Sequence, residues 1–246
     1  AGFSHEWEMF DIDPKNSAVS KRDSIKDPPR GFMCGTNPPY LAKNSAKRAG
    51  LSFPNTNYDD LYKLCLETMI RNNEFVFAII PESFITSGEF LNELETVISL
   101  RMEMFKDTEC PVCLAMFSGY NHIFTPGDAT VYSNDKYVGI LNELMNEIPK
   151  PTDHHKITFN SWGGKLGLIA IDNQKSSSIE FKDGNLIDDS IIKHSSRSIT
   201  KISIDDKVDD KFINKCNKVL ANIRLNTCDV VLTSFKGMRS DGYYRR

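Results

Sequence analysis

The sequence predicts an α/β domain with a mainly parallel sheet, followed by a smaller mixed α+β region. Three observations predict it. Over the first 150 residues, short continuous apolar runs alternate with helically spaced apolar stripes, the pattern of strands joined by crossover helices. The runs are uninterrupted rather than alternating, as strands buried on both faces are. After the proline-rich stretch Ile148-Pro149-Lys150-Pro151-Thr152-Asp153 the apolar segments become shorter and more strand-like. A boundary there divides the chain into a first domain, 1–148, and a second region, 149–246.

Taken in order, Trp7-Glu8-Met9-Phe10-Asp11 reads as a strand ending in an acid. A helix over 58–71 carries Leu61, Leu64, Cys65, Thr68 and Met69 on one stripe, with a cap near Asn57. Phe75-Val76-Phe77-Ala78-Ile79-Ile80 is a buried central strand stopped by Pro81. A helix is predicted over 87–105 from the spacing of Phe90, Leu91, Leu94, Val97 and Ile98. Pro111-Val112-Cys113-Leu114-Ala115-Met116-Phe117 is a third strand, stopped by Ser118-Gly119. Beyond the boundary, strands are expected over 167–171, 178–181 and 199–204. An amphipathic helix over 209–224 carries Phe212, Ile213, Cys216, Val219, Leu220 and Ile223.

Composition narrows the class. No run of about 18 apolar residues occurs, so no transmembrane helix is expected. Six scattered cysteines read as reduced thiols of a cytoplasmic protein rather than a disulfide framework. The net charge of −3 hides an asymmetry: residues 151–246 hold 16 Lys and Arg against 12 Asp and Glu, leaving 14 against 21 in residues 1–150. A mildly basic second part could touch phosphates; chance variation between halves explains the same numbers.

Thr36-Asn37-Pro38-Pro39-Tyr40 carries the chemistry. Two consecutive prolines stiffen the backbone and remove two N–H donors, leaving carbonyls free to face a ligand. An Asn side-chain oxygen beside a backbone carbonyl makes a two-acceptor cradle for an exocyclic NH₂ group, and the following ring offers a stacking face. That is the equipment for holding an extruded adenine. A rigid Pro-Pro turn after a strand remains the plain alternative.

With the following Leu41-Ala42-Lys43-Asn44-Ser45-Ala46-Lys47-Arg48, the tetrapeptide resembles the catalytic motif of the amino-methyltransferases, specifically the adenine-N6 DNA methyltransferases of restriction-modification systems. The resemblance covers roughly residues 1–120. It implies a Rossmann-like methyltransferase domain, with S-adenosylmethionine as cofactor, no metal, and double-stranded DNA as partner. Asn37, Pro38, Pro39 and Tyr40 would be catalytic. Phe10-Asp11-Ile12-Asp13-Pro14 resembles the motif whose first acid takes the cofactor ribose hydroxyls, a role that falls on Asp11. Arg22-Asp23-Ser24-Ile25 resembles the motif whose acid reads the cofactor adenine, a role that falls on Asp23. Ile80-Pro81-Glu82-Ser83-Phe84 matches the segment after the next strand. Phe117 sits where the family places the ring that stacks with Tyr40 on the extruded base. The family's glycine-containing first motif has at most Ala1-Gly2-Phe3 to represent it, so an N-terminal segment, in cis or from a partner subunit, is expected to be missing.

For DNA phosphates, Lys43, Lys47 and Arg48 are the best-placed cations, because the catalytic loop must approach the strand; Lys193, Arg197 and Lys201 form a second candidate cluster in the region 149–246, the expected target-recognition part. Other signals have plain explanations. Cys110-Pro111-Val112-Cys113 has the spacing of half a zinc site, but no second pair follows and it starts an apolar run, so buried thiols fit it better. His154-His155 reads as a solvated turn, and Trp162-Gly163-Gly164-Lys165 as a hairpin turn or a phosphate-contacting loop. The expected activity is methyl transfer to adenine N6 by base flipping and direct attack. The alternatives are a methyltransferase acting on glutamine side chains or RNA bases, and a catalytically silent DNA-binding domain.

Overall fold

The computed structural model describes residues 7–100, 104–105, 110–119, 128–148, 150, 156–170, 178–194, 196 and 198–232. The chain divides into two compact units, one of residues 1–100 with 112–142 and one of residues 101–111 with 143–246. The hinge Pro149, with 151–155 beyond it, lies outside the described residues, as do His154 and His155. Among the described residues no helix is long and apolar enough to cross a membrane.

The first unit begins with β1 (Phe10–Asp11) and β2 (Ser20–Lys21), which pair in parallel as a separate two-stranded sheet. Next come β3 (Gly31–Thr36), α1 (Lys43–Arg48), α2 (Leu61–Asn72) and β4 (Asn73–Pro81). They are followed by β5 (Leu94–Ser99), β6 (Val112–Ser118), β7 (Thr130–Ser133) and β8 (Lys136–Ile140). A six-stranded sheet runs in the order β3-β4-β6-β5-β7-β8. It is mixed rather than mainly parallel: β3 with β4 and β5 with β7 are parallel, while β4 with β6, β5 with β6 and β7 with β8 are antiparallel.

The sheet becomes mixed because the stretch expected as a helix over 87–105 holds a strand. Gly88 and Phe90 both adopt positive φ, 75° and 54°, which a helix does not allow. The β-branched run Thr96-Val97-Ile98 then extends as β5. A bulge between Leu94 and Thr96 explains the misleading pattern. It resets the alternation, so that Leu94, Val97 and Ser99 are the buried residues, with a first interval of three that imitates a helical stripe.

The strand over 75–80 is present as β4, with Val76, Ala78 and Ile80 fully buried. The helix over 58–71 is α2; its cap is Asp60 rather than Asn57, with the Asp60 carboxylate accepting from the Tyr62 N–H. Tyr62, Cys65, Leu66, Met69 and Ile70 are its buried apolar residues. After β4 a short 3₁₀ turn, Glu82–Thr86, buries Phe84 and Ile85.

Phe117 requires a correction. β6 runs antiparallel to β4, so Phe117 stands opposite Val76, three residues back along β4 from Ile79 and about 10 Å at the usual strand rise. It is 1% exposed and meets Phe84 edge to face at 5.6 Å. Here its ring is core, with no face open to a base.

α3 (Leu141–Asn146) spans the division between the units. The second unit then holds β9 (Ile157–Phe159), β10 (Leu166–Ile169), β11 (Glu180–Asp183) and β12 (Ile199–Ile204). They form one antiparallel sheet in the order β11-β10-β12-β9. α4 (Asp210–Asn226) follows, capped by Asp209, and then α5 (Asp229–Leu232). The Asn217 side chain of α4 docks on edge strand β11, accepting from the Phe181 N–H and donating to the Phe181 carbonyl, both at 2.7 Å. It supplies β11 with the pairing that another strand would give.

Replacing Phe117 by Ala should lower the free energy of unfolding by about 3–5 kcal/mol, the usual loss for a buried Phe. Denaturant unfolding of the chain measures it. An unchanged midpoint would show that the ring is not part of the core.

Candidate active site

The loop Asn37-Pro38-Pro39-Tyr40 begins where β3 ends. Thr36 pairs in parallel register with Ala78, so the loop departs beside Ile79 at the carboxyl end of β4. Pro38 and Pro39 have no N–H to continue the ladder, so the strand stops at Thr36. Pro38 is buried, Asn37 and Pro39 are exposed, and Tyr40 is half-buried. The Tyr40 hydroxyl lies 2.8 Å from the Ile79 carbonyl oxygen and 3.1 Å from Asn37 Oδ1. Its ring meets Tyr62 of α2 edge to face at 6.4 Å. Asn37 and Tyr40, expected to act together, are brought together.

The far end of the loop is clamped as well. Ala42 and Asp60 form an isolated antiparallel bridge, the Leu61 N–H donates to the Leu41 carbonyl at 3.0 Å, and the Lys43 N–H donates to the Asp59 carbonyl at 2.7 Å. Burial pushes the Asp60 carboxyl above its ordinary value, opposed by the N–H groups of Tyr62 and Leu41 that donate to it. One carboxylate thus caps α2 and holds the residue after Tyr40. Sequence reasoning misses Asp60, although an acid immediately before a helical stripe is the available sign. Next to it, Lys63 is only 8% exposed and pairs with Asp59 at 2.6 Å and Glu89 at 3.1 Å. Burial pulls the Lys63 ammonium down, but the two carboxylates outweigh it and hold it raised.

Glu82, in the turn after β4, is 3% exposed and accepts from the Ser99 hydroxyl at 2.8 Å. Cys113 is fully buried in β6, its Sγ 4.0 Å from the Pro81 carbonyl oxygen, so it is packed as core.

The two acids expected at a cofactor stand at one end of the β1–β2 pair rather than on the six-stranded sheet. Asp11 is exposed and accepts from the Asp13 N–H at 2.7 Å. Asp23, two residues past β2, accepts from the N–H groups of Ile25 and Lys26 and pairs with the Lys26 ammonium at 3.1 Å. The Lys26 contact, first among these, holds the Asp23 carboxyl below its ordinary value. Beside this pair a surface cavity of about 430 Å³ is lined by Glu8, Arg22, Asp27, Pro28, Pro29 and Arg30. A second, of about 470 Å³, lies over Tyr58, Glu89 and Phe90. Neither is lined by Asn37 or Tyr40.

Among the expected phosphate contacts, Lys43, Lys47 and Arg48 all lie on α1, directly after the loop, with Lys47 and Arg48 in its last turn. Lys193 is exposed, and Arg197 lies outside the described residues. Lys201 is a correction: it is 5% exposed inside β12, and its ammonium pairs with Asp189 at 2.6 Å. A cation whose stem is packed in a sheet and whose charge is met by a carboxylate does not offer itself to a phosphate. Trp162 and Gly163 form a tight turn, closed by the Gly164 N–H on the Ser161 carbonyl.

Asp60→Ala should reduce stability by about 1 kcal/mol through the lost cap. It should also speed amide exchange at Leu41, whereas Asp60→Asn, which can still cap, should do little of either. Urea unfolding and exchange measurements check both; equal behaviour of the two variants would remove Asp60 from the clamp.

No protein-family model matches the chain, and no curated protein matches it in sequence. Solved structures give partial likenesses. The M protein of the type I restriction enzyme EcoKI is 14% identical over 47% of this chain and 28% of its own, with a TM-score of 0.36. A protein from Listeria monocytogenes, described as a class I S-adenosylmethionine-dependent methyltransferase, is 14% identical over 42% of this chain and 36% of its own, with a TM-score of 0.31. A modification subunit described for a type I restriction enzyme of Vibrio vulnificus YJ016 is 16% identical over 77% of this chain and 42% of its own, with a TM-score of 0.33. The matched regions span between 28% and 42% of those three chains. Likenesses this partial establish no family, so the site rests on its own residues.

Proposed function

We propose that the chain is the catalytic part of an S-adenosylmethionine-dependent DNA methyltransferase acting on adenine N6, with residues 1–148 as its catalytic domain and 149–246 contributing to target recognition. The observation that carries this reading is the Asn37-Pro38-Pro39-Tyr40 loop at the carboxyl end of β3, where ligands collect in α/β sheets. Asn37 is exposed there and tied to Tyr40.

Asn37 Oδ1 and the Pro38 carbonyl accept the two hydrogens of the adenine amino group. Holding them raises electron density on a poorly nucleophilic nitrogen and aims its lone pair; positioning and charge placement supply the acceleration. Tyr40 gives the extruded base its stacking face, without Phe117. S-adenosylmethionine, when bound, supplies an electrophilic sulfonium methyl group. Asp11 fits its ribose, because an exposed carboxylate accepts from vicinal hydroxyls. Asp23 fits less well, because its own turn and Lys26 already occupy the carboxylate. Lys43, Lys47 and Arg48 neutralise phosphates of the strand that enters the loop, and Lys193 adds a contact from the second unit.

Transfer of a tritiated methyl group to DNA, RNA and protein, assayed in parallel, tests the substrate class; label appearing only in RNA or protein would overturn the DNA assignment. Asn37→Ala should lower the rate by about 10²–10³, the usual cost of removing one preorganised polar group from a reacting centre, with DNA affinity little changed. Near-normal turnover by that variant would overturn the assigned chemistry. Charge reversal at Lys43 or Lys47 should reduce the salt dependence of DNA binding by about one unit of slope for each phosphate no longer neutralised, and titrations at several salt concentrations read it directly.

A further inference from the structure

We infer that the Tyr40 hydroxyl is a positioning group that fixes which way the Asn37 amide faces, so that the loop presents acceptors only and selects an amine. The inference rests on the reading of Asn37 as the amine-binding residue.

The hydroxyl oxygen lies 2.8 Å from the Ile79 carbonyl oxygen and 3.1 Å from Asn37 Oδ1. A phenol has one proton, so it cannot donate to both. The backbone supplies the reason for the choice. β3 stops at Thr36, whose partner is Ala78, and neither Pro38 nor Pro39 can donate. On the loop side, the Ile79 carbonyl beyond that last pairing meets the Tyr40 hydroxyl in place of a strand N–H. A carbonyl can only accept, and the shorter distance favours it.

The Asn37 amide is adaptable where Ile79 is not. A half-turn about its last bond exchanges oxygen for nitrogen with little change of shape. With the Tyr40 proton committed to Ile79, the phenol oxygen has lone pairs for a donor. The arrangement in which every group is served therefore runs in one direction: Asn37 Nδ2–H donates to Tyr40 Oη, and Tyr40 O–H donates to the Ile79 carbonyl. Oδ1 then faces outward, on the exposed side of Asn37.

The consequence is chemical selectivity. With Oδ1 outward and the Pro38 carbonyl in the role proposed for it, the loop offers two acceptors and no donor. An NH₂ group satisfies both, whereas a carbonyl or a ring nitrogen satisfies neither. With the amide reversed, the loop would offer one donor and one acceptor and would suit an amide-like edge instead. Tyr40 is thus more than a ring. Phenylalanine would keep the stacking face and lose the relay.

Selective ¹⁵N labelling of asparagine tests this without reference to catalysis. The Asn37 side-chain NH₂ pair is identified by its disappearance in Asn37→Asp. Its hydrogens should exchange with solvent about two- to tenfold more slowly in the wild-type chain than in Tyr40→Phe, the range one net hydrogen bond allows. The other asparagine amides should be unchanged, showing that the variant is folded. Tyr40→Phe should also lower kcat for DNA methylation by a similar factor while leaving KM for DNA and the brightening of a target 2-aminopurine intact. Equal exchange in the two folded proteins overturns the proposal whatever turnover shows. Slower exchange in a wild type that methylates no amine would support the relay and overturn the methyltransferase reading.

Discussion

β4 is buried along most of its length, and every peptide group on it needs a partner from a neighbouring strand. It has β3 on one side, parallel, and β6 on the other, antiparallel. Those two directions decide which chain ends can meet. The parallel neighbour brings its carboxyl end to Ile79, so its loop delivers Asn37 and Tyr40 there. The antiparallel neighbour brings its beginning, with Val112 opposite Pro81 and Cys113 opposite Ile80, and carries its own end away toward Phe75. The site edge is therefore stocked by the end of β3, the turn after β4 and the start of β6. No ring at the end of β6 can reach it, however apt its residue type.

The loop itself is an exchange of donors. Two prolines end the β3 ladder, and because successive N–H groups of a strand point to opposite sides, they leave the end of β4 without a strand N–H it would otherwise meet. Tyr40 answers with a hydroxyl on Ile79. Asp60 answers at the other end, where the Ala42 bridge and the Lys43 N–H complete a second short ladder. The segment is thus held before, within and after Asn37 and Tyr40. For the proposed site, ordering that would otherwise be required on binding has already been completed during folding, which is what preorganisation means energetically.

How much of this could be read from the chain follows from how local each signal is. An apolar run closed by proline is local, and β4 is where the run predicts it. Helix α4 carries both its stripe and its cap within one segment, and it too is found. The tetrapeptide is local, and its two polar side chains do meet. What escaped depends on partners distant in sequence. The bulge in β5 is set by pairing with β6, and it turns alternate burial into a spacing of three. Lys201 looks like any surface cation until Asp189, brought beside it by the 3₁₀ turn at 189–191, takes its charge. Phe117 has the right residue type and the wrong strand direction. Asp60 had a visible capping position, but its hold on Leu41 comes only with the fold.

Asp59 and Asp60 show how neighbouring identical groups acquire opposite roles beside that loop. The Lys63 ammonium holds Asp59 below its ordinary value, so the stability it contributes is present above the unfolded pKa and fades as pH falls through the lowered one. Burial holds Asp60 above its ordinary value, so its contribution is fully present below the unfolded pKa and is lost as pH rises through the raised one. The two slopes oppose each other across the carboxylate range. Both acids anchor the same few residues, Asp59 through its carbonyl on the Lys43 N–H and Asp60 through its bridge to Ala42. A clamp built from two like-shifted acids would tighten or slacken steeply with pH, whereas this one trades one contribution for the other. The backbone hydrogen bonds from Lys43 to Asp59 and from Leu61 to Leu41 join uncharged groups, so these two ties of the loop do not themselves titrate, whereas the hold of the Asp60 carboxylate on Leu41 and Tyr62 does.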